Sequence, residues 1–342
     1  MTDALPLVLV SRALPPGWLD RLEGRCEMLV GDADVAGFDS PLLEALPRAE
    51  GILCLLTERV DAALLDRAPR LRVVSNMAVG VDNIDVAACT ARGIPVGHTP
   101  GVLTEATADL AMALLLSAAR RLPEAARDAR EGRWSTWSPT GWLGTDLHGA
   151  RLGIVGLGKI GAAVARRARG FGLELVYASR SARPELEAEL GLRRLLLPEL
   201  LATSDMVSLH VPLDEHTHHL IDAAALRSMK PSALLVNTAR GPIVDPDALE
   251  HAVRNGEIAG AALDVTDPEP LPPEHPLFAR PEVLVLPHIG SATRGTRRRM
   301  AELAADNLLA GLRGRPLPHT VNPEVEPRAR APHRLGPSRG ER

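Results

Sequence analysis

The sequence has few aromatic residues, almost no lysine and no long apolar run. Aromatic residues make up 2% of 342, so the core must be built from Leu, Val, Ile and Ala. Only Lys159 and Lys230 are lysines among 39 basic residues. No apolar run reaches the roughly 18 residues of a membrane span, and the apolar segment 5–10 has no basic region before it. We therefore expect neither a signal peptide nor a membrane partner.

Cysteine and net charge are also low. Cys26, Cys54 and Cys89 form neither a CxxC pair nor an even disulfide set. We expect three small buried hydrophobes in a protein of the reducing cytoplasm. The formal net charge of −4 argues against a nucleic-acid partner. Apolar residues at 45% and charged residues at 24% are the balance of a globular protein.

Short apolar runs alternate with helical patterns in two series. The first series is 5–10, 51–56 and 71–77, and the second starts at Arg151 and continues at 173–180, 206–212, 233–240, 258–265 and 283–288. Continuous apolar runs are typical of strands buried on both faces of a parallel sheet. The alternation predicts an α/β protein with two doubly wound parallel-sheet, Rossmann-like domains and a cleft between them.

Two long helical segments, about 104–122 and 292–312, join one strand series to the other. The predicted organisation is a discontinuous substrate-binding domain, 1–103 plus 292–322, into which a dinucleotide-binding domain, 104–291, is inserted. The last segment, 323–342, contains four Pro and five Arg with almost no large apolar side chain. Such a composition predicts a disordered tail.

A glycine-rich turn, GLGKIG, follows the strand that begins at Arg151 and precedes a helical pattern. That context is typical of a dinucleotide-binding motif. Gly156 allows the tight turn, Gly158 lets the backbone approach a pyrophosphate, and Gly161 lets the helix pack on the sheet. The residues of the turn expected to contact the coenzyme are Gly156, Leu157, Gly158, Lys159, Ile160 and Gly161.

The next strand ends without the acidic residue that would bind a ribose 2′-hydroxyl. It ends in Ser179, Arg180 and Ser181, and an arginine here suits the 2′-phosphate of NADP(H). The sequence therefore predicts NADP(H) as the preferred coenzyme, with NAD(H) as a second one. The alternative interpretation of Arg180 is a solvated surface side chain.

Three polar residues follow three of the predicted strands, where α/β sheets place their ligands. Arg240 can hold a substrate carboxylate or carbonyl oxygen through its planar fork. His288 can donate a proton to a carbonyl oxygen as hydride reaches the carbon. Glu269, hydrogen-bonded to that histidine, would orient it and favour its protonated form. Together these residues predict the reduction of a 2-oxo acid.

Seven segments resemble the D-isomer-specific 2-hydroxyacid dehydrogenase family. They are AVGVDNID (78–85), GIPVGHTPGVLTEATADLAMALLL (93–116), VGLGKIG (155–161), HVPLDEHTHHLI (210–221), VNTARGPIVD (236–245), GAALDVTDPEPLPPEHPL (260–277) and LPHIGSAT (286–293). The resemblance covers about residues 50–322. Within the family, VTDPEPLPPEHPL with PHIGSATR and NLLAGLRG resembles the glyoxylate/hydroxypyruvate reductase branch.

The resemblance implies roles for individual residues. Arg240, Glu269 and His288 would be catalytic. The substrate would be bound by Arg240 and His288 together with Val79, Gly80, Ser291 and Trp137. Coenzyme contacts outside the glycine turn and the Ser179–Ser181 loop would come from Thr107, Pro212, Thr217, Thr238, Asp264 and Gly290. One departure is His98, where the family commonly has Asn.

Two further patterns each leave two interpretations. The HTHH sequence at 216–219 could suggest a metal site, but a polar loop is favoured, and no metal is predicted. Trp134, Trp137 and Trp142 would either pack on their own subunit or form an arm across a homodimer interface, where Trp is favoured. In the reductase branch a Trp of this arm reaches the neighbouring active site, and Trp137 matches that position.

The sequence thus predicts a cytoplasmic, homodimeric, NAD(P)H-dependent reductase of small 2-oxo acids. Glyoxylate would be reduced to glycolate, and hydroxypyruvate to D-glycerate. One alternative is a dehydrogenase for another D-2-hydroxy acid on the same scaffold. Another is a non-enzymatic dinucleotide sensor, similar to the corepressors that resemble this family and can retain the Arg, Glu and His. The branch motifs favour the enzyme.

Overall fold

The structure is a computed structural model that describes residues 4–327. These residues divide into two compact units: unit 1 is formed by 4–102 with 294–327, and unit 2 by Leu103–Thr293. Most of the predicted disordered tail, 328–342, lies outside the described residues, and 323–327 contain neither helix nor strand. No helix within residues 4–327 is long and apolar enough to cross a membrane.

Strands and helices alternate through both units. The strands are β1 (Leu7–Val10), β2 (Glu27–Val30), β3 (Gly51–Cys54), β4 (Val73–Asn76), β5 (Val96–Gly97), β6 (Arg151–Val155), β7 (Glu174–Ala178), β8 (Arg193–Arg194), β9 (Met206–Leu209), β10 (Leu234–Asn237), β11 (Gly260–Leu263) and β12 (Val283–Val285). The helices are α1 (Ser40–Ala45), α2 (Ala62–Asp66), α3 (Val86–Ala91), α4 (Thr104–Ala119), α5 (Leu122–Arg130), α6 (Lys159–Arg169), α7 (Pro184–Leu190), α8 (Leu197–Thr203), α9 (Ala223–Ser228), α10 (Pro246–Arg254) and α11 (Arg294–Leu312).

Unit 1 contains a five-stranded parallel sheet in the order β2-β1-β3-β4-β5. Helix α11, which follows unit 2 in the chain, packs on β3 and β4. A Cβ at Gly311 would lie 2.5 Å from the Val73 side chain, and the Ser75 hydroxyl donates to the Ala304 carbonyl at 2.8 Å. A helix late in the sequence therefore covers a face of the sheet whose first strand lies near the N-terminus.

Unit 2 contains a seven-stranded parallel sheet in the order β12-β11-β10-β9-β6-β7-β8. Side chains of one face, such as Ile154 and Val236, share a core with α4 and α6. Those of the other face, such as Val207 and Leu235, share a second core with α8, α9 and α10. Strand order reverses between β6 and β9, the switch point at which such sheets bind ligands. The predicted fold of two doubly wound parallel sheets is confirmed.

The predicted helix 104–122 is wrong at its end. Helix α4 stops at Ala119, because Arg121 takes a left-handed backbone conformation with φ of 51°, and α5 begins at Leu122. A residue in that conformation cannot continue a right-handed helix. Three strands, β2, β5 and β8, were not predicted. The residues of β2 and β8 are half-buried or exposed, and β5 has only two residues, so none of them forms a long continuous apolar run.

Candidate active site

The glycine turn joins β6 to α6 at the carboxyl edge of the unit 2 sheet. Gly156 has φ of 96°, and a Cβ there would lie 2.6 Å from the carbonyl oxygen of His210. A Cβ at Gly161 would lie 2.1 Å from the carbonyl oxygen of Gly156, whereas at Gly158 it would meet no atom within 4 Å. Two glycines are thus required by close packing, while the third leaves the backbone open toward a ligand.

The other residues of the turn differ in exposure. Lys159 is exposed at the first position of α6, and Ile160 is half-buried. The Leu157 side chain is buried in the core shared with α4 and α6, so it can offer only backbone atoms to a coenzyme.

Thr238 supplies an independent sign of a bound group. It follows β10 and is only 8% exposed, and its hydroxyl has no hydrogen-bond partner within residues 4–327. Burying an unpaired hydroxyl costs free energy unless a ligand or a water completes its hydrogen bonds. Together with the open backbone at Gly158, this hydroxyl fits a dinucleotide at the carboxyl edge of the sheet.

The loop after β7 is fixed through its backbone. The Ser179 hydroxyl donates to the Ser181 carbonyl at 2.5 Å, and the Arg194 guanidinium donates to the carbonyls of Ser179 and Arg180 at 2.8 and 2.9 Å. The Arg180 side chain is 80% exposed, and its guanidinium lies 3.7 Å from the Asp214 carboxylate. Such an exposed ion pair is weak, so Arg180 can turn toward an anionic ligand.

The loop after β9 satisfies much of its own hydrogen bonding. The Thr217 hydroxyl donates to the Pro212 carbonyl and accepts from the Asp214 N–H, both at 2.7 Å. Thr217 therefore shapes the loop, whereas Pro212 is exposed. In the HTHH segment, the rings of His218 and His219 stack with centroids 4.1 Å apart. Within residues 4–327, no group of three His, Cys, Asp or Glu side chains could hold a metal ion.

The histidine and the glutamate predicted to be catalytic lie together. His288 Nδ1 is 2.6 Å from Glu269 Oε1, and both side chains are partly exposed. Because an ionised carboxylate only accepts hydrogen bonds, Nδ1 of His288 carries the proton in this contact. His288 also has a left-handed backbone, with φ of 52°, which few non-glycine residues adopt.

Asp264 holds the turn that presents this histidine. It is 1% exposed, and its two carboxylate oxygens accept the backbone N–H groups of Ile289 and Gly290 at 2.7 and 2.8 Å. Its carbonyl accepts from the His288 N–H at 2.9 Å. Burial raises the pKa of Asp264, although the two N–H donors oppose that rise. Asp264 thus fixes the backbone of turn 288–290.

Thr107 lies at the same turn. It is buried in α4, and its hydroxyl is 3.4 Å from the Gly290 carbonyl. A Cβ at Gly290 would come within 3.1 Å of the Asp264 carboxylate and 3.4 Å of Thr107. Ser291 follows, half-buried, with its carbonyl accepting from the Thr293 N–H at 2.7 Å.

Arg240 is half-buried after β10, and Asn237 shapes the turn that carries it. The Asn237 amide donates to the Arg240 carbonyl at 2.8 Å, and its oxygen accepts from the Ala239 N–H at 3.0 Å. The Arg240 guanidinium donates to the Ala239 carbonyl at 2.8 Å. Unit 2 therefore carries Arg240, Glu269 and His288 after three adjacent strands, β10, β11 and β12.

The structure of unit 2 does not bring three of the predicted substrate contacts to Arg240, Glu269 and His288. Val79 and Gly80 lie in unit 1, half-buried after β4. Trp137 lies in unit 2 beyond α5 and is 80% exposed. Of its neighbours, Trp134 is also exposed, whereas Trp142 donates its indole N–H to Asp128 at 2.8 Å.

Sequence reasoning missed Asn237, and it assigned Asp264 to the coenzyme without its role in holding turn 288–290. Asn237 and Asp264 are buried polar residues at the ends of buried strands, and that placement was the available signal. His210 follows β9, and its Nε2 lies 2.8 Å from the Ser208 hydroxyl. Burial lowers the pKa of His210 to about 4, so its ring is neutral beside the glycine turn.

Comparison with known proteins identifies the fold and chemistry. Residues 112–290 match the family described as D-isomer specific 2-hydroxyacid dehydrogenase, NAD binding domain. The glyoxylate reductase of Korarchaeum cryptofilum is 48% identical over 321 residues, which are 94% of this chain and 97% of that protein.

Solved structures are similar to this chain in both sequence and fold. A protein of Thermus thermophilus is 51% identical with a TM-score of 0.86, over 92% of this chain and 99% of that one. An NADPH-dependent glyoxylate/hydroxypyruvate reductase of Sinorhizobium meliloti, in complex with NADP and malonate, is 36% identical with a TM-score of 0.84. That match covers 96% of this chain and all of the other (100%).

Proposed function

Because the chain belongs to the D-isomer specific 2-hydroxyacid dehydrogenase family of oxidoreductases, we propose that it reduces glyoxylate to glycolate and hydroxypyruvate to D-glycerate. The observation that carries this proposal is the contact of 2.6 Å between His288 and Glu269, in a unit whose glycine turn is suited to a dinucleotide. The reductase names of the relatives support the choice of these substrates.

The His288–Glu269 pair serves as the acid in this reaction. When bound, the nicotinamide coenzyme supplies a hydride to the carbonyl carbon. His288 donates the proton on Nε2 to the carbonyl oxygen, and Glu269 stabilises the charged ring through Nδ1–H. In the reverse direction the same nitrogen accepts the proton of the hydroxy acid.

Arg240 and the backbone of residues 78–80 provide the groups for the substrate. The guanidinium of Arg240 anchors the carboxylate or carbonyl oxygen by two parallel hydrogen bonds. The N–H groups of Val79 and Gly80 bind the carboxylate, and Ser291 and Trp137 complete the substrate site.

The coenzyme contacts follow from the carboxyl edge of the unit 2 sheet. The glycine turn binds the pyrophosphate at the N-terminus of α6, where free N–H groups favour anions. The remaining proposed contacts are Thr107, Pro212, Thr217, Thr238, Asp264 and Gly290. The unpartnered hydroxyl of Thr238 supports its place in this set.

For the coenzyme, we propose a preference for NADPH, with NADH accepted less well. The loop 179–181 offers Arg180 and two serines to a 2′-phosphate and contains no acid that would repel it. Hydrogen bonds to charged groups contribute about 1.5–3 kcal/mol, so kcat/KM should favour NADPH by about ten- to a few hundred-fold.

An arginine substitution tests the coenzyme preference. Arg180→Ala should lower kcat/KM for NADPH toward the value for NADH and leave NADH nearly unchanged. Arg227→Ala, at the exposed end of α9, is the matched control. Equal weakening of both coenzymes, or a wild type that favours NADH, would show that Arg180 does not bind the 2′-phosphate.

Steady-state kinetics tests the activity itself. NADPH oxidation is followed at 340 nm with glyoxylate, hydroxypyruvate and pyruvate, beside the His288→Ala variant as the inactive control. We expect the highest kcat/KM with glyoxylate or hydroxypyruvate. Higher efficiency with a larger 2-oxo acid would identify a different D-2-hydroxyacid dehydrogenase, and binding of coenzyme without turnover would identify a sensor.

We further propose that the protein is a homodimer that uses the segment 122–143 as an arm. Leu122, Trp134, Trp137 and Leu143 are large apolar side chains that remain exposed in this segment. A cavity of about 180 Å³ lies beside it, lined by residues that include Leu143 and Leu284. The concentration of exposed apolar side chains in one segment supports a role for it in an interface.

Analytical ultracentrifugation tests the dimer, with Leu143→Glu expected to yield monomers and Arg25→Glu, at an exposed residue outside the arm, expected to leave dimers. A mixed dimer of Trp137→Ala and His288→Ala subunits then tests sharing of the site. Recovery of about half the wild-type activity supports an arm that reaches the partner's site. Activity no higher than a Trp137→Ala site provides means that Trp137 serves its own subunit.

The free buried thiols of Cys26, Cys54 and Cys89 support a location of the protein in the reducing cytoplasm.

A further inference from the structure

The three carbonyl oxygens of turn 78–80 each face a donor from another part of unit 1. In order along the turn, the donors are the backbone N–H of Thr99 at 2.8 Å, Nδ1 of His98 at 2.9 Å and the Nδ2 amide of Asn76 at 2.9 Å. Two consecutive residues after β5 and one residue of β4 therefore hold the whole turn by its carbonyl side.

This arrangement decides where the N–H groups of the turn point. In a trans peptide, C=O and N–H point in opposite directions. Fixing the carbonyl of Val79 with His98 therefore directs the N–H of Gly80 to the opposite side. No group within residues 4–327 accepts a hydrogen bond from the N–H of Val79 or Gly80. Two adjacent N–H donors of this kind form a small site for an anion.

The His98 side chain is itself fixed by its backbone. The His98 carbonyl accepts from the Asn307 amide at 2.9 Å, and its N–H donates to the His319 carbonyl at 3.2 Å. A Cβ at the preceding Gly97 would lie 2.7 Å from Asn307, so α11 packs directly against this strand end. Because a carbonyl can only accept, Nδ1 of His98 must carry the proton in this contact.

We propose that His98 is a positioning residue of the substrate site, whose Nδ1–H holds the Val79–Gly80 peptide so that the Gly80 N–H faces the substrate carboxylate. This inference rests on the proposed function, because it takes a 2-oxo acid as the ligand of the turn. It gives His98 a role in binding the carboxylate without contact to the reacting atoms. Loss of the bond should weaken substrate and leave coenzyme affinity unchanged.

Three variants separate the hydrogen bond from packing. His98→Asn keeps a donor one bond beyond Cγ, at the position of Nδ1, whereas His98→Gln moves the amide one bond further. His98→Ala removes the donor altogether. We expect KM for glyoxylate to rise about three- to twenty-fold in the Ala and Gln variants and to stay within about two-fold of wild type in the Asn variant.

Two binding measurements accompany the kinetics. The inhibition constant of oxamate, an unreactive analogue with the same carboxylate, should rise by the same factor as KM. The Kd of NADPH, measured by fluorescence of the binary complex, should not change. If His98→Ala fails to fold, the Asn and Gln variants still differ only in the reach of the amide.

The outcomes distinguish this inference from the proposed function. A wild type that does not reduce glyoxylate contradicts the proposed function. With an active wild type, the inference is wrong if the Ala and Gln variants keep KM and oxamate inhibition within about two-fold. It is also wrong if the Asn variant is impaired as strongly as the Gln variant, or if the Kd of NADPH rises in step with KM.

Discussion

The turns 78–80 of unit 1 and 288–290 of unit 2 both follow a strand of a parallel sheet, yet they are held from opposite sides. In turn 78–80 donors, including Asn76 and His98, hold the carbonyl oxygens. In turn 288–290 the acceptor Asp264 holds the N–H groups.

The difference matches the chemistry that each turn can perform. A turn held by its carbonyls offers N–H groups, which bind an anion. A turn held by its N–H groups offers none, and it presents a side chain instead, here the imidazole of His288. Disruption of the first turn should therefore raise KM, and disruption of the second should lower kcat.

Loss of His288 should give the largest effect. His288→Ala removes the proton donor, and general acid catalysis is worth about 10²–10⁴-fold in rate. We expect kcat to fall by that factor while the Kd of NADPH stays within about two-fold. Turnover near the wild-type value would mean that another group is the acid.

Disruption of the turn beneath this histidine should have the next largest effect. Asp264→Asn replaces one acceptor oxygen by an NH₂ group that cannot accept an N–H. Hydrogen bonds to charged groups contribute about 1.5–3 kcal/mol, so kcat should fall about 10- to 100-fold. A rise in the Kd of NADPH with unchanged kcat would instead show that Asp264 acts only through the coenzyme.

Glu269→Gln should be milder and should change the pH profile. The amide still orients the His288 ring, but it favours the protonated ring less than a carboxylate does. We expect kcat to fall about 3- to 30-fold, and the pH above which reduction fades should move down. Rate profiles between pH 5 and 9 test this, and an unchanged profile would contradict the pairing.

In unit 1, Asn76→Ala should have the smallest effect on turnover. It removes hydrogen bonds to the Gly80 carbonyl at 2.9 Å and to Asn83 at 3.0 Å. The free energy of unfolding should fall by about 1–3 kcal/mol, since buried polar groups lose their partner. KM for glyoxylate should rise about three- to ten-fold with kcat nearly unchanged. A lower kcat at constant KM would remove the distinction between the two turns.

The strands of both sheets were largely predictable from sequence, because a strand buried on both faces must be a continuous apolar run. The prediction failed where that condition fails. Strand β2 is only half-buried, β5 is too short to form such a run, and the two residues of β8 are exposed arginines. The end of α4 depends on the left-handed backbone of Arg121, and the spacing of apolar residues along the sequence does not predict that conformation.

At the site, sequence reasoning could place residues at strand ends but could not pair them. It assigned Asp264 to the coenzyme, and that contact stays a prediction. The hydrogen bonds of Asp264 to Ile289 and Gly290 depend on the register of neighbouring strands and on a turn geometry. His98 was noted only as a departure from Asn, because its partner, the Val79 carbonyl, lies 19 residues earlier in the chain.

The late position of α11 has a consequence for synthesis on the ribosome. The face of β3 and β4 that α11 covers emerges first, and its cover follows only after the segment 103–293 has been made. At about 5–20 residues per second, that face waits about 10–40 s. During this interval unit 2 can complete its own sheet, while the nascent apolar surface of unit 1 is a target for chaperones. Asn307 and His319, which hold the His98 backbone, are made only after this interval.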